Sequence, residues 1–153
     1  MRLLFVCTGN ICRSPTAEAV ARARLDALGL DWTAASAGTS GWHAGEPPDP
    51  RAMAAGAGRG YDLAPIRARA VDVDDFTRFD HLVAMDLGHD RFLRRLAPGG
   101  LHGSVSRLMD WAEDGAAADV PDPYYGGDAG FERVLDLVEA GVDGLIGTLR
   151  ARA

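Results

Sequence analysis

Cys7, Arg13 and Ser14 stand in the stretch VCTGNICRSPTAEA, residues 6–19, with Gly9 and Asn10 inside the interval. A cysteine six residues ahead of an arginine, after an apolar run and before a helical pattern, can make an anion site. A short loop of small residues exposes several backbone N–H groups in one concavity. A helix starting behind it adds the positive end of its dipole. Such a cradle fits a tetrahedral oxyanion held by the N–H groups of residues 8–13, and Arg13 at the rim adds two parallel hydrogen bonds. The same field favours the thiolate form of Cys7, a nucleophile, and Ser14 can donate a hydrogen bond to that sulfur. Asn10 suits the tight turn, because asparagine tolerates left-handed backbone angles. Taken singly, Cys7 would read as a small buried hydrophobe and Arg13 as a surface charge; their joint pattern argues for the site.

The elements that must position this loop follow from the apolar spacing. Arg2 to Val6 is a short continuous apolar run ended by Gly9, as in a central parallel strand covered on both faces. Ser14 as N-cap and Pro15 at the first position predict a helix carrying Ala17, Val20, Ala21, Leu25 and Leu28 to a stop at Gly29. A second strand is predicted near Trp32 to Ser36, then a long loop and a helix from Asp49-Pro50 to the glycines at 56, 58 and 60. His81 to Asp86 and Ser104 to Asp110 predict two more strands, separated by a helix that Pro98 and Gly99 stop. The last helix carries one apolar stripe: Phe131, Val134, Leu135, Val138, Val142, Leu145, Ile146 and Leu149. Gly141, Gly144 and Gly147 weaken it by about 1 kcal/mol each relative to alanine. Strands alternating with helices imply an α/β fold, a parallel sheet with helices on both faces. Ligands of such sheets bind beyond the carboxyl ends of the strands, where the Cys7 loop lies.

Composition narrows the function classes. The 153 residues suffice for one domain, residues 1–153, with a proper core, and 47 % are apolar and 25 % charged. A net charge of −6 argues against a nucleic-acid partner, which wants a basic face. All 16 basic residues are arginines, a usage typical of GC-rich coding. No apolar run has the length of a membrane span, and the amino terminus lacks a signal-peptide pattern. Cys7 and Cys12 alone are no disulfide framework, so a reducing cytoplasmic location is expected. The histidines at 43, 81, 89 and 102 are scattered without metal-ligand spacing and read as surface or structural residues, so neither a metal nor another cofactor is expected.

VCTGNICRSPTAEA resembles the active-site loop of the low-molecular-weight protein tyrosine phosphatases. SAGTSGWHAGEPPDPRA after the second strand, VAMD at the third and PDPYYGG before the last helix agree in the family's order and span essentially the whole chain. The resemblance implies a three-layer sandwich, a four-stranded parallel sheet with helices on both faces and an N-terminal phosphate-binding loop. It implies a metal-independent phosphatase acting on phosphotyrosine proteins and small aryl phosphates and releasing inorganic phosphate. Cys7 would be the nucleophile and form a phospho-cysteine, with Arg13 binding the phosphoryl group. Asp122 would be the general acid and then the general base. On sequence alone Asp122 competes with Asp110, Glu113, Asp114, Asp119 and Asp128.

The resemblance further implies substrate contacts by Thr8, Gly9, Asn10, Ile11, Cys12 and Ser14, and a Ser36 hydroxyl that braces Asn10. Trp42 and Tyr124 would wall a deep cleft and stack on a phosphotyrosine ring, with Tyr125 either a further wall or a loop anchor. Cys12, five residues after Cys7, would form a reversible disulfide with it that guards the nucleophile. In one departure from the family, Ile66 stands before Arg67, where many relatives carry histidine or serine.

Three other functions compete. A phosphoarginine phosphatase tends to carry threonine at the position of Ile11. A thioredoxin-linked arsenate reductase shares the fold and loop but needs a third cysteine, and this chain has two. A non-catalytic anion-binding module would be expected to lose Cys7, Arg13 or Asp122.

Overall fold

Leu3, Phe5 and Cys7 point to one side of the first strand and Leu4 and Val6 to the other, and all five are buried. This strand, β1 (Arg2–Cys7), is therefore central, as its unbroken apolar run requires. The computed structural model describes residues 1–113 and 118–153. Besides β1 it contains β2 (Thr33–Gly38), β3 (His81–Ala84) and β4 (Val105–Arg107), all parallel, in the order β2-β1-β3-β4. The helices are α1 (Arg13–Leu28), α2 (Pro50–Ala57), α3 (Asp75–Arg78), α4 (Leu87–Leu96) and α5 (Asp128–Arg152).

The two faces of β1 define two cores. Leu3 and Phe5 pack with Val20 and Leu25 of α1, Ala52 of α2 and the α5 stripe. Leu4 and Val6 pack with Phe76 of α3 and Leu93 of α4. All eight predicted stripe residues of α5 are buried, and the predicted α/β sandwich stands.

Several boundaries differ from those predicted. Helix α1 begins at Arg13, with Cys12 at the cap, so Ser14 is not the N-cap and Pro15 is the third helical residue. The Ser14 side chain is drawn instead toward Cys7 and Asn10. Pro15 still costs no hydrogen bond, because the first helical N–H groups have no partner. Gly29 ends α1 with φ 66°, the left-handed cap its position predicted. Asp49 caps α2 by accepting from the Arg51 N–H at 2.8 Å, with Pro50 next in line. Strand β2 starts after Trp32, and β3 ends two residues before Asp86. Strand β4 is only three residues long, because Leu108–Trp111 coils into a 3-10 turn that packs on α5. Helix α3 was not foreseen. It seats Phe76 in the second core and buries Asp75, which accepts two hydrogen bonds from Arg69, both at 3.0 Å.

Two of the four α5 glycines, Gly141 and Gly144, are required by packing. A Cβ on Gly141 would lie 2.5 Å from Leu108 Cγ, and one on Gly144 would lie 1.9 Å from the Trp111 carbonyl oxygen. Gly147 faces open space. Gly144→Ala is therefore expected to destabilise the fold by about 2–3 kcal/mol, the overlap with backbone outweighing the helix-propensity gain. Gly147→Ala is expected to stabilise it by about 0.5–1 kcal/mol. Urea unfolding of both variants checks the opposite signs.

Candidate active site

At the carboxyl end of β1 the chain turns through residues 8–12 into α1 and lines a cavity of about 400 Å³. Four carbonyls of this stretch are engaged by N–H groups of other residues. Thr39 N–H donates to Cys7 O at 2.8 Å, Ser40 N–H to Thr8 O at 3.1 Å, Asp49 N–H to Ile11 O at 2.8 Å and Thr16 N–H to Cys12 O at 3.3 Å. In a trans peptide the N–H points opposite to the C=O of the same unit. The N–H groups of Thr8, Gly9, Cys12 and Arg13 are thus turned to the other side. Among the described residues, no protein acceptor takes an N–H of residues 8–13. Cys7, Thr8, Gly9, Ile11, Cys12 and Arg13 all line the cavity.

Close backbone approach makes this loop possible. Asn10 has φ 57°, the left-handed conformation expected of it. A Cβ on Gly38, at the end of β2, would lie 2.7 Å from Thr8 O and 2.9 Å from Ser40 O, so glycine is needed behind the loop. A Cβ on Gly9 would press on the His43 ring at 3.0 Å.

Behind the loop a buried chain of hydrogen bonds fixes the direction of the Ser14 hydroxyl. The Asn10 amide donates to Ser14 Oγ at 2.8 Å and to Ser36 Oγ at 2.9 Å, while its own oxygen accepts from Arg69 N–H at 3.1 Å. Ser36 donates to Glu18 Oε1 at 2.7 Å, and Glu18 pairs with Arg22 at 2.6 Å. Burial lifts the Glu18 carboxyl above its ordinary range, against the pull of Ser36 and Arg22. With the amide hydrogens of Asn10 and the hydroxyl hydrogen of Ser36 committed, Ser14 is free to donate to Cys7 Sγ, 3.0 Å away. The competing acceptor, Ala37 O, lies farther off at 3.4 Å. Asn10 and Ser14 were expected to touch the substrate, but their side chains are buried behind the loop and do not line the cavity. The left-handed turn at Asn10 directs its amide inward, and Ser14 follows as its partner.

Arg13 is buried and held from the side. Its Nη1 donates to Asp86 Oδ2 at 2.9 Å and to Val120 O at 3.1 Å, and its Nη2 lies 3.7 Å from Asp122 Oδ2. Val120 N–H in turn donates to Met85 O at 2.9 Å, so Arg13 is braced by the root of the segment that carries Asp122. Asp86 caps α4 by accepting from His89 N–H at 3.0 Å. Burial opposes the charge on Asp86, yet the His89 N–H and Arg13 hold its carboxyl below the usual range.

Among the carboxylates weighed from sequence, Asp122 lines the cavity. Asp110 and Asp119 pair with Arg107, and Asp128 opens α5. Glu113 lies at a different surface depression, and Asp114 falls outside the described residues. Trp42, Tyr124 and Tyr125 border the cavity, with Trp42 87 % and Tyr125 95 % exposed, so two of the walls are free to meet a partner. Tyr124 and Tyr125 meet edge to face at 5.0 Å, and Arg51 lies over the Tyr124 ring at 5.5 Å. Ile66, the departure noted above, is buried in the first core.

Sequence reasoning missed Glu18, Asp86, Ser40 and two histidines. His43 lines the cavity. His89 is buried, with Nε2 2.8 Å from Thr8 Oγ1. Asp86 had a signal, the VAMD motif, but no role; the others had none beyond residue type. Among the described residues no three His, Cys, Asp or Glu side chains converge where they could hold a metal ion.

Burial pushes the Cys12 thiol up to about 12, with Asp49 and Cys7 adding to it, so Cys12 stays protonated beside the nucleophile candidate. Burial first, and then the Arg13 charge, lower His89 to about 4 from its ordinary 6.5. The unfolded chain takes up this proton near pH 6.5 and the folded chain only near pH 4. Stability is therefore expected to fall as the pH drops through that window, by about 3 kcal/mol for this group, and His89→Gln should remove that share. Urea midpoints of both proteins at pH 7, 5.5 and 4.5 check it.

The model of the family described as low molecular weight phosphotyrosine protein phosphatase matches residues 2–153. The chain is 52 % identical to a low molecular weight protein-tyrosine-phosphatase of Streptomyces coelicolor, over 97 % of this chain and 93 % of that one. Its fold matches the crystal structure of a protein tyrosine phosphatase from Entamoeba histolytica, which holds Hepes in its active site. The TM-score is 0.96 at 38 % identity, covering 99 % of this chain and 98 % of that one. YfkJ from Bacillus subtilis matches with a TM-score of 0.93 at 38 % identity, covering 99 % and 96 %. By sequence and by fold, therefore, the chain belongs to the low molecular weight phosphotyrosine protein phosphatases.

Proposed function

We propose that this protein hydrolyses phosphotyrosine in protein substrates, and small aryl phosphates, through a phospho-cysteine on Cys7. The observation that carries the reading is the loop of residues 8–13, whose N–H groups have no acceptor among the described residues and lie beside the Cys7 sulfur and Arg13. Phosphoryl oxygens rest on those N–H groups and on Arg13, and the transition state gains most from this fixed array of dipoles. The Cys7 thiolate attacks phosphorus as the P–O bond to the phenol breaks, and Asp122 gives its proton to the leaving oxygen. Water then attacks the phospho-cysteine, Asp122 takes a proton from it, the P–S bond breaks, and inorganic phosphate leaves.

Trp42 and Tyr124 supply apolar faces for the substrate ring, and Tyr125 extends that wall. Selection for a phosphoaryl group follows, because phosphoserine is too short to carry its phosphate down to the loop while resting on those rings. Ile11 at the cavity gives no hydrogen-bonding partner for a phosphoguanidinium, which supports phosphotyrosine over phosphoarginine. Cys12 serves as a redox guard. Peroxide oxidises Cys7 to a sulfenic acid, the Cys12 sulfur displaces water to form the disulfide, and an added thiol reduces it. A location in a reducing cytoplasm suits that cycle.

The experiment is turnover of phosphotyrosine, phosphoserine and phosphoarginine peptides in the presence of a metal chelator. Turnover confined to phosphotyrosine supports the reading. Activity that the chelator abolishes, or a preference for phosphoarginine, overturns it.

A further inference from the structure

Thr8 and Arg13, at opposite ends of the phosphate-binding loop, are both tied to one turn of a different element. Thr8 Oγ1 lies 2.8 Å from His89 Nε2. Arg13 Nη1 lies 2.9 Å from Asp86 Oδ2, and Asp86 Oδ1 takes the N–H of His89 at 3.0 Å. Asp86 and His89 are the cap and third residue of α4, so a single rigid helix start holds both ends of the loop. His89 is 4 % exposed, and its Nδ1 lies 3.1 Å from Asp86 Oδ1 without the alignment of a hydrogen bond. A buried imidazole in that place is not needed to fill the second core, which is made of aliphatic and phenylalanine side chains.

We propose that His89 is a positioning residue of the phosphatase reaction, clamping Thr8 to the Asp86–Arg13 pair so that the loop is held ready for a phosphoryl group. This rests on the phosphatase reading above. The neutral ring carries one proton. A bare lone pair on Nδ1 would face the Asp86 carboxylate and be repelled, whereas an N–H there is attracted even when misaligned. The proton therefore sits on Nδ1, and Nε2 accepts from the Thr8 hydroxyl. That bond fixes the Thr8 side chain and, through it, the peptide whose N–H, that of Gly9, is turned toward the anion. The same ring backs the carboxylate that aims Arg13. Losing His89 frees both ends of the cradle together, a cost that appears in anion binding and in kcat and not only in stability.

The test uses His89→Leu, His89→Gln, Thr8→Val and the Thr8→Val/His89→Leu pair, with p-nitrophenyl phosphate turnover and competitive inhibition by inorganic phosphate as readouts. Glutamine places an amide oxygen near the position of Nε2 and can accept from Thr8. His89→Leu is expected to lower kcat/KM about tenfold and to weaken inhibition by phosphate by a similar factor, the size of one lost hydrogen bond. His89→Gln should recover both to within about threefold, and the double variant should be no worse than His89→Leu, because the two side chains share one interaction. Should His89→Leu fail to fold, Thr8→Val must still show the loss of phosphate affinity. The proposal is overturned by unchanged phosphate inhibition in Thr8→Val, or by no rescue from a folded His89→Gln. Fully additive effects in the double variant overturn it too. In each of those cases the wild type still turns over without metal. An inactive wild type sinks the phosphatase reading itself.

Discussion

Cys7→Ser is expected to abolish turnover of every aryl phosphate, by at least about 10⁴-fold in kcat, while leaving affinity for inorganic phosphate close to that of the wild type. A serine hydroxyl does not ionise in this site as a thiol can, so the nucleophile is lost. The anion site is not, because it consists of backbone N–H groups and Arg13, none of which the substitution touches. The exchange replaces one small buried side chain by another at the floor of the cavity, next to Ser14 at 3.0 Å, and should fold normally. Steady-state kinetics and phosphate binding to the inactive variant separate the two effects. Residual turnover near wild type would show that the sulfur is a bystander.

Asp122→Ala carries the second large effect, and its signature is a dependence on the leaving group. A phenol such as tyrosine leaves poorly unless protonated, so its release needs the acid; p-nitrophenol leaves well without help. General acid–base catalysis is worth about 10²–10⁴-fold. The loss in kcat is therefore expected to be about 10³-fold on a phosphotyrosine peptide and nearer tenfold to a hundredfold on p-nitrophenyl phosphate. The variant also lacks the base for the second step, so phospho-enzyme should build up with the good leaving group. An equal loss on both substrates would mean that Asp122 positions Arg13, 3.7 Å from it, and transfers no proton.

The features legible in the sequence were those written over short distances along the chain. The strand before Cys7, the left-handed Asn10, the stop at Gly29, the Asp49-Pro50 cap and the α5 stripe each depend on neighbours within a few residues or on one period. Cys7 and Arg13 were legible in their joint pattern, whereas Asp122 joined them only through a family likeness; nothing local to Asp122 distinguished it from Asp119 or Asp128. What stayed hidden is tertiary. His89 and Asp86 meet the loop from more than 70 residues away, and a histidine on an amphipathic helix gives no sign of which partner it will find. Glu18 reads as an ordinary helix residue until Ser36 is brought beside it by the pairing of β1 with β2. Gly144 looked like a weakness in a helix, and only its approach to the Trp111 carbonyl reveals it as a packing requirement. Ser14 was misread for a related reason: its capping propensity is local, but the sulfur and amide that claim its hydroxyl are set by the curl of the whole loop.

The reaction leaves a covalent trace that can be read directly. When Asp122→Ala turning over p-nitrophenyl phosphate is quenched with denaturant and digested with trypsin, mass spectrometry should find a phosphoryl group on the peptide ending at Arg13. Fragment ions should assign it to the Cys7 sulfur and not to Cys12. Steady turnover with the phosphoryl group on another residue, or on none, would contradict the account.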